Sequence, residues 1–268
     1  ARIALQRATA AVTEHGRLPA PPLMVGFFDY VRAHIAMQEG RVAEAEAAIA
    51  AFRRSMPEDV QSTIAYSEAS LALIRGDRAA ARRAIDAGLA SLAGIQDAPT
   101  VSEGRLGAAF LLTRAGDPAQ AERLYRQVLP SARAAGYGQW EAFAELGLAE
   151  VAASRGDWST ARQHMQQAAR LPQTRIWVYS ARLGLLELGN AIASGDRAAA
   201  SARAEALQVA AIRTGDHFTL SALHGLAAAA PADFGLRPPV LTLPPYRGEA
   251  AWLVDAVRTV DRRAIASR

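Results

Sequence analysis

A glycine followed by aspartate or arginine recurs along this chain at a nearly constant interval, and no other feature restricts the fold as much. The pairs are Gly40-Arg41, Gly76-Asp77, Gly116-Asp117, Gly156-Asp157 and Gly195-Asp196. Five residues after each glycine stands an alanine: Ala45, Ala81, Ala121, Ala161 and Ala200. Seven residues before it stand Ala33, Ala69, Ala109 and Ala149, with Leu188 in the last unit. Alanine makes up 63 of 268 residues, too few for coincidence to account for such a register. A fixed period of this size, a little under ~40 residues, marks a stack of one supersecondary unit.

The physics of the unit is legible. Glycine ends a helix where a left-handed backbone is needed and a Cβ would clash. The next aspartate caps the following helix, accepting from its unpaired N–H groups at the positive end of the dipole. Pro118 after Asp117 falls at the first helical position, where its missing N–H costs nothing. A two-residue turn between two such helices makes an antiparallel hairpin, and the alanines lie where its helices cross closely. Each hairpin needs a neighbour to cover its other face.

Composition narrows the chemistry. The chain has no cysteine, which removes thiol nucleophiles, disulfides and cysteine-ligated zinc or iron–sulfur centres. It has no lysine either, since all 30 Lys+Arg residues are arginine. That excludes a Walker A loop, a Schiff-base lysine and a kinase-type phosphate lysine. The formal charge is +4, and the pI of about 9.9 reflects arginine's persistent protonation. Arginines alternate with Glu and Asp without a basic run, so the charges read as solvated helix faces and direct nucleic-acid binding is not expected. No stretch approaches the apolar length of about 18 residues that a membrane span needs.

With those residues in view, the chain resembles the tetratricopeptide repeat family. In Ala142–Ala168 the positions Leu146, Ala149, Gly156, Asp157, Ala161 and Ala168 fall where that family carries its Leu, Gly/Ala, turn Gly-Asp and two second-helix alanines. Leu106–Val128 matches with Ala109, Gly116, Asp117, Ala121 and Tyr125, and Gly76–Ile85 and Gly40–Ile49 match more weakly. The period is longer than the family's usual length of about 34 residues. The first-helix aromatic and the repeat-end proline appear only in places. The long period is most similar to the arrays of bacterial multidomain regulators such as MalT-like transcription activators. The resemblance spans about residues 22–235. It implies an all-α fold, a right-handed solenoid of antiparallel helix hairpins with about five to six units and a C-terminal capping helix.

Read along the chain, residues 1–15 look like the second helix of a truncated or atypical first hairpin, and Gly16–Pro22 is a turn. Helical pairs are expected at roughly 23–39 and 42–55, 60–75 and 78–93, 99–115 and 118–135, 138–155 and 158–171, and 175–194 and 197–214. A further helix at about 217–230 opens a sixth unit. Residues 237–246 carry four prolines and must be extended, reading as a linker and less as a ligand for an SH3-like partner. A closing helix over about 248–266 has Trp252, Leu253, Val257, Val260 and Ile265 on one face and is suited to cap the stack. The expected organisation is a repeat array over 1–236, a linker over 237–246 and a capping helix over 247–268. Because the chain starts at Ala1 rather than Met, it is expected to be a fragment, a processed protein or a trimmed piece of a larger one, with its true N-terminus and any targeting segment upstream.

Catalytic constellations do not emerge. His217 and His224 lie about 10 Å apart along a helix axis, too far to share one metal ion, and the histidines, these two included, read as scattered surface or groove residues. No Gly-x-Ser-x-Gly occurs, and Gly136-Tyr137-Gly138 reads as a turn between helices. Glu44/Glu46 and Glu145/Glu150 sit among compensating arginines. No enzyme activity, cofactor or metal is therefore expected.

What remains is surface. The resemblance places the first helix of each hairpin on the concave face, with groove positions spread over the turns that precede the turn glycine. Candidates there are Tyr30, His34, Met37, Gln38, Tyr66, Ser70, Phe110, Thr113, Arg114, Glu150 and Ser154. Leu73, Ile74, Leu106 and Leu146 occupy equivalent positions and read equally well as packing between repeats. The mix of aromatic, Met and polar groups suits a peptide or helix laid in a groove. The expected function is a non-catalytic scaffold in a larger bacterial signalling or transcription-regulatory protein of the cytoplasm. Its partner is expected to be a protein or peptide, or another domain of the same full-length chain. A small-molecule inducer and self-assembly into a homo-oligomer are the alternatives.

Overall fold

The computed structural model describes residues 22–55, 61–230, 234–241, 245–246 and 252–257. The helix expected over 1–15, the adjoining turn and most of the closing helix lie outside these residues. Among the described residues the chain is all-helical. The first hairpin pairs α1 (Pro22–Gln38) with α2 (Val42–Ser55), and the second pairs α3 (Gln61–Arg75) with α4 (Arg78–Ala90). The third pairs α5 (Ala98–Ala115) with α6 (Pro118–Ala134), and the fourth α7 (Gly138–Ser154) with α8 (Trp158–Ala169). The fifth pairs α9 (Trp177–Ser194) with α10 (Arg197–Thr214), and α11 (His217–Ala229) opens a sixth.

The turn chemistry is the one the repeat implied. The repeat glycines have φ between 75° and 92°, the left-handed region in which a Cβ is costly. Asp77, Asp117, Asp157 and Asp196 each accept from the backbone N–H three residues on, at 2.8, 3.0, 3.0 and 3.0 Å. Asp97 and Asp216 do the same at the starts of α5 and α11. All five alanines after the glycines, and Ala33, Ala69, Ala109, Ala149 and Leu188 before them, are 0% exposed. Such a contact has no room for growth, and extra carbons there cost about 1–3 kcal/mol.

Three boundaries differ from the sequence expectation by two residues or more: α8 ends at Ala169 rather than 171, and two others have a visible cause. α4 ends at Ala90 rather than near residue 93, where the Ser91 hydroxyl donates to the Gly88 carbonyl at 2.8 Å and closes the last turn. α9 starts at Trp177 rather than at 175, because Pro172 opens a short 3₁₀ turn (Pro172–Arg175) before it. Residues 237–241 carry no regular secondary structure, and residues 252–257 are helical.

The hairpins stack in sequence, and the stack bends. Each first helix touches the next first helix: α1 meets α3, α3 meets α5, α5 meets α7, α7 meets α9 and α9 meets α11. Second helices of successive hairpins make no comparable contact. A stack held together on one side and splayed on the other must curve, with the first helices inside. The run of first-helix contacts then returns to its origin, because α11 also touches α1. One apolar core runs through hairpins two to four and a second through hairpins four and five, α11 and residues 252–257. In the latter, Trp252, Leu253, Ala256 and Val257 are buried, and Leu253 and Trp158 crowd the Cα of Gly189.

Candidate binding surface

Of the residues on the inner wall, one group is charged and buried. Arg114 of α5, Glu150 of α7 and Arg182 of α9 stand on three successive first helices. Arg114 Nη1 donates to Glu150 Oε2 at 3.2 Å, and Arg182 Nε donates to Glu150 Oε1 at 2.7 Å. The three side chains are 7%, 1% and 8% exposed. Burial by itself would raise the Glu150 carboxyl, but the charges and hydrogen bonds of Arg182 and Arg114 outweigh it and hold the group below its ordinary value. Phe110 and Phe143 pack against the cluster from its more exposed side. The Arg114 guanidinium lies 3.5 Å from the Phe110 centroid, and that of Arg182 lies 4.6 Å from Phe143 and 5.1 Å from Phe110. Arg182 Nη1 and Nη2 are buried and have no hydrogen-bond acceptor.

The structure thus brings Phe110, Arg114 and Glu150 together. Sequence reasoning missed Arg182 and Phe143, although a signal existed. Both stand at the same offset from a turn glycine, Gly195 and Gly156, one helical turn beyond the positions considered. Thr113 is buried beside this group, its hydroxyl donating to the Ala109 carbonyl at 3.0 Å. Ser154 is half-buried and donates to the Val151 carbonyl at 2.7 Å.

A second, aromatic group forms on the first hairpin, apart from the triad. Tyr30 is half-buried, with its ring centroid 4.4 Å from exposed His34, 5.5 Å from Phe52 and 6.5 Å from exposed Phe27. Burial raises the Tyr30 phenol above its ordinary value, and the negative charge of Glu103 adds to the effect. Gln38 is half-buried. Met37 is buried, and its carbonyl accepts from the Tyr246 hydroxyl.

Tyr66 belongs to neither group. A Cβ on Gly88 would lie 2.3 Å from its ring and one on Gly107 would lie 3.3 Å away, so the ring is wedged between α4 and α5. Burial pushes its phenol well up, and the hydroxyl has no partner. Ser70 is half-buried and donates to the Tyr66 carbonyl at 3.0 Å. Leu73, Ile74, Leu106 and Leu146 are buried.

His217 departs from the expectation of a surface or groove histidine. It is 6% exposed, with its ring edge-on to Tyr246 at 4.7 Å, because Tyr246 and the start of α11 bury each other. Glu145 is likewise inside, bound by Arg133 and by His164 Nδ1 at 2.7 Å. His164 borders two clefts between α6 and α8, of about 170 and 490 Å³, and Arg133 borders the larger. Among the described residues no group of three or more His, Asp and Glu is placed to hold a metal ion. No helix among them is long and apolar enough to cross a membrane.

Comparison with known proteins found no matching curated protein and no matching solved structure. It did identify a family in the middle of the chain, over the hairpins that supply Phe110, Arg114 and Glu150: residues 102–174, from α5 into the turn before α9, match the tetratricopeptide repeat.

Proposed function

We propose that the chain is a non-catalytic scaffold that takes up a protein or peptide segment against its inner wall. In this reading it is the sensor or docking part of a larger bacterial signalling or transcription-regulatory protein. The observation that carries the reading is the ring of first helices, with exposed His34 beside Tyr30 and, further round, Phe110 and Phe143 half-buried over a charged layer. Aromatic anchors flanked by buried charge suit a partner that brings both apolar and polar groups. The tetratricopeptide match over residues 102–174 supports protein–protein interaction as the general role. The regulatory setting rests on the resemblance to long-period bacterial arrays.

The test is site-specific photo-cross-linking in the native host. A benzophenone amino acid replaces His34 on the inner wall in one variant and exposed Arg162 of α8 on the outer side in another. A defined protein adduct from position 34 and none from position 162 is the expected outcome. Adducts formed only from position 162 would reject the inner wall as the binding surface.

A further inference from the structure

The ring of first helices has one junction between elements far apart in the chain. There the end of α1 (Ala36, Met37) meets the start of α11 (His217, Phe218), and the side chain between them comes from neither helix. Tyr246 is 8% exposed and packs with Ala36, Met37, Ala45 and Ile74 in one apolar cluster, with Val42 and Phe218 at its edge. Its ring lies 4.7 Å from that of His217 and 5.0 Å from that of Phe218. Its backbone N–H donates to Ser221 Oγ of α11 at 3.0 Å, while its hydroxyl donates to the Met37 carbonyl of α1, 209 residues away.

That carbonyl is one of the last of its helix, which lack an intrahelical donor. It already accepts from Gly40 N–H at 3.1 Å, and the phenol takes up its second lone pair. One face of the junction is thus an apolar slot with a hydrogen-bond acceptor at its end, and the other is an aromatic wall. That combination is selective for a phenol, whose body is apolar and whose tip is polar.

We infer that this junction is an acceptor site for the tyrosine of a chain segment, filled in cis by Tyr246, and that its occupancy holds the ring of first helices closed. The backbone bond ties the segment to α11 and the hydroxyl ties it to α1, so loss of the side chain removes the bridge without touching either helix. A closed ring encloses the inner wall, so this contact sets how large a partner can enter. The inference concerns closure itself, and its test requires no partner.

The cysteine-free chain is suited to the experiment. Exposed Ala47 of α2 and Ala228 of α11 are replaced by cysteine and spin-labelled, and the distance distribution between them is measured by pulsed electron resonance. With Tyr246 present a single narrow distribution is expected. Tyr246→Ala should give a broader distribution shifted to longer distance, with helical circular dichroism retained. Millimolar 4-methylphenol should then restore the narrow distribution, and toluene, which lacks the hydroxyl, should restore it less. An unchanged distribution in Tyr246→Ala overturns the closure. A broadened one that ignores 4-methylphenol overturns the acceptor site. Should Tyr246→Ala lose helix content, Tyr246→Phe carries the test: it keeps the ring and removes the bond to Met37, and a distribution identical to wild type overturns the inference.

Discussion

Replacing Glu150 by glutamine should be among the most damaging conservative changes in this chain. The carboxylate is 1% exposed and is the acceptor for two buried guanidiniums, at 3.2 and 2.7 Å. Glutamine preserves volume and one acceptor oxygen but removes the negative charge that Arg114 and Arg182 share. Breaking a buried ion pair from one side costs about 3–5 kcal/mol, because the partner charge stays buried without compensation. Against a total stability of about 5–15 kcal/mol, that is a large fraction. The cluster is nevertheless a poor source of net stability. Among the described residues it holds two positive charges to one negative, and two nitrogens of Arg182 are buried without an acceptor. Removing all three charges together, as Arg114→Met, Glu150→Leu and Arg182→Met, should therefore recover most of what Glu150→Gln loses. Urea unfolding followed by circular dichroism measures the totals. Amide hydrogen exchange in α5, α7 and α9 tests whether the loss is local, as expected for a stack of repeats that need not open together. A Glu150→Gln loss below about 1 kcal/mol, or a triple apolar variant no more stable than the single one, would refute the reasoning.

Two further outcomes follow from the geometry. Gly147→Ala would place a Cβ 2.1–2.5 Å from the ring of wholly buried Tyr125, so it should cost about 1–3 kcal/mol in a urea melt despite the better helix propensity of alanine. Stability should also fall on acidification. Glu150, Asp117 and Asp157 are all held below their ordinary values in the folded chain, the first by its arginines against burial and the two aspartates chiefly by bonds from the helix starts they cap. The unfolded chain then binds more protons in acid, so their contribution is complete above the ordinary carboxylate range of about pH 4 and is lost as pH drops below it. Urea midpoints from pH 7 down to 3 check this, and a flat profile below pH 4 would contradict it.

Much of the local architecture was legible from residues alone. Turn glycines, capping aspartates and small residues at fixed offsets each answer a constraint acting within a few residues, so hairpins one to five fall within a few residues of their expected limits. Boundaries slipped at Ser91 and Pro172, where a side chain or a ring settles the last turn. The candidate site was legible in part. Phe110, Arg114 and Glu150 were marked by register, while Arg182 and Phe143, in the same register one turn further on, were not. Tyr66 shows the opposite limit: a position that reads as groove is wedged against Gly88 and Gly107, because exposure depends on what the neighbouring hairpin lacks.

The sequence by itself determined the hairpin and its repetition, since helix ends and close helix contacts are written within each repeating unit. The tertiary structure alone decided how far the stack curves, far enough for α11 to meet α1. Curvature arises from small differences in contact between first and second helices summed over hairpins, and no single repeat records that sum. It brings Met37 and Tyr246, 209 residues apart, to one hydrogen bond, and makes one buried charge cluster from three helices whose spacing predicts only that they share a wall.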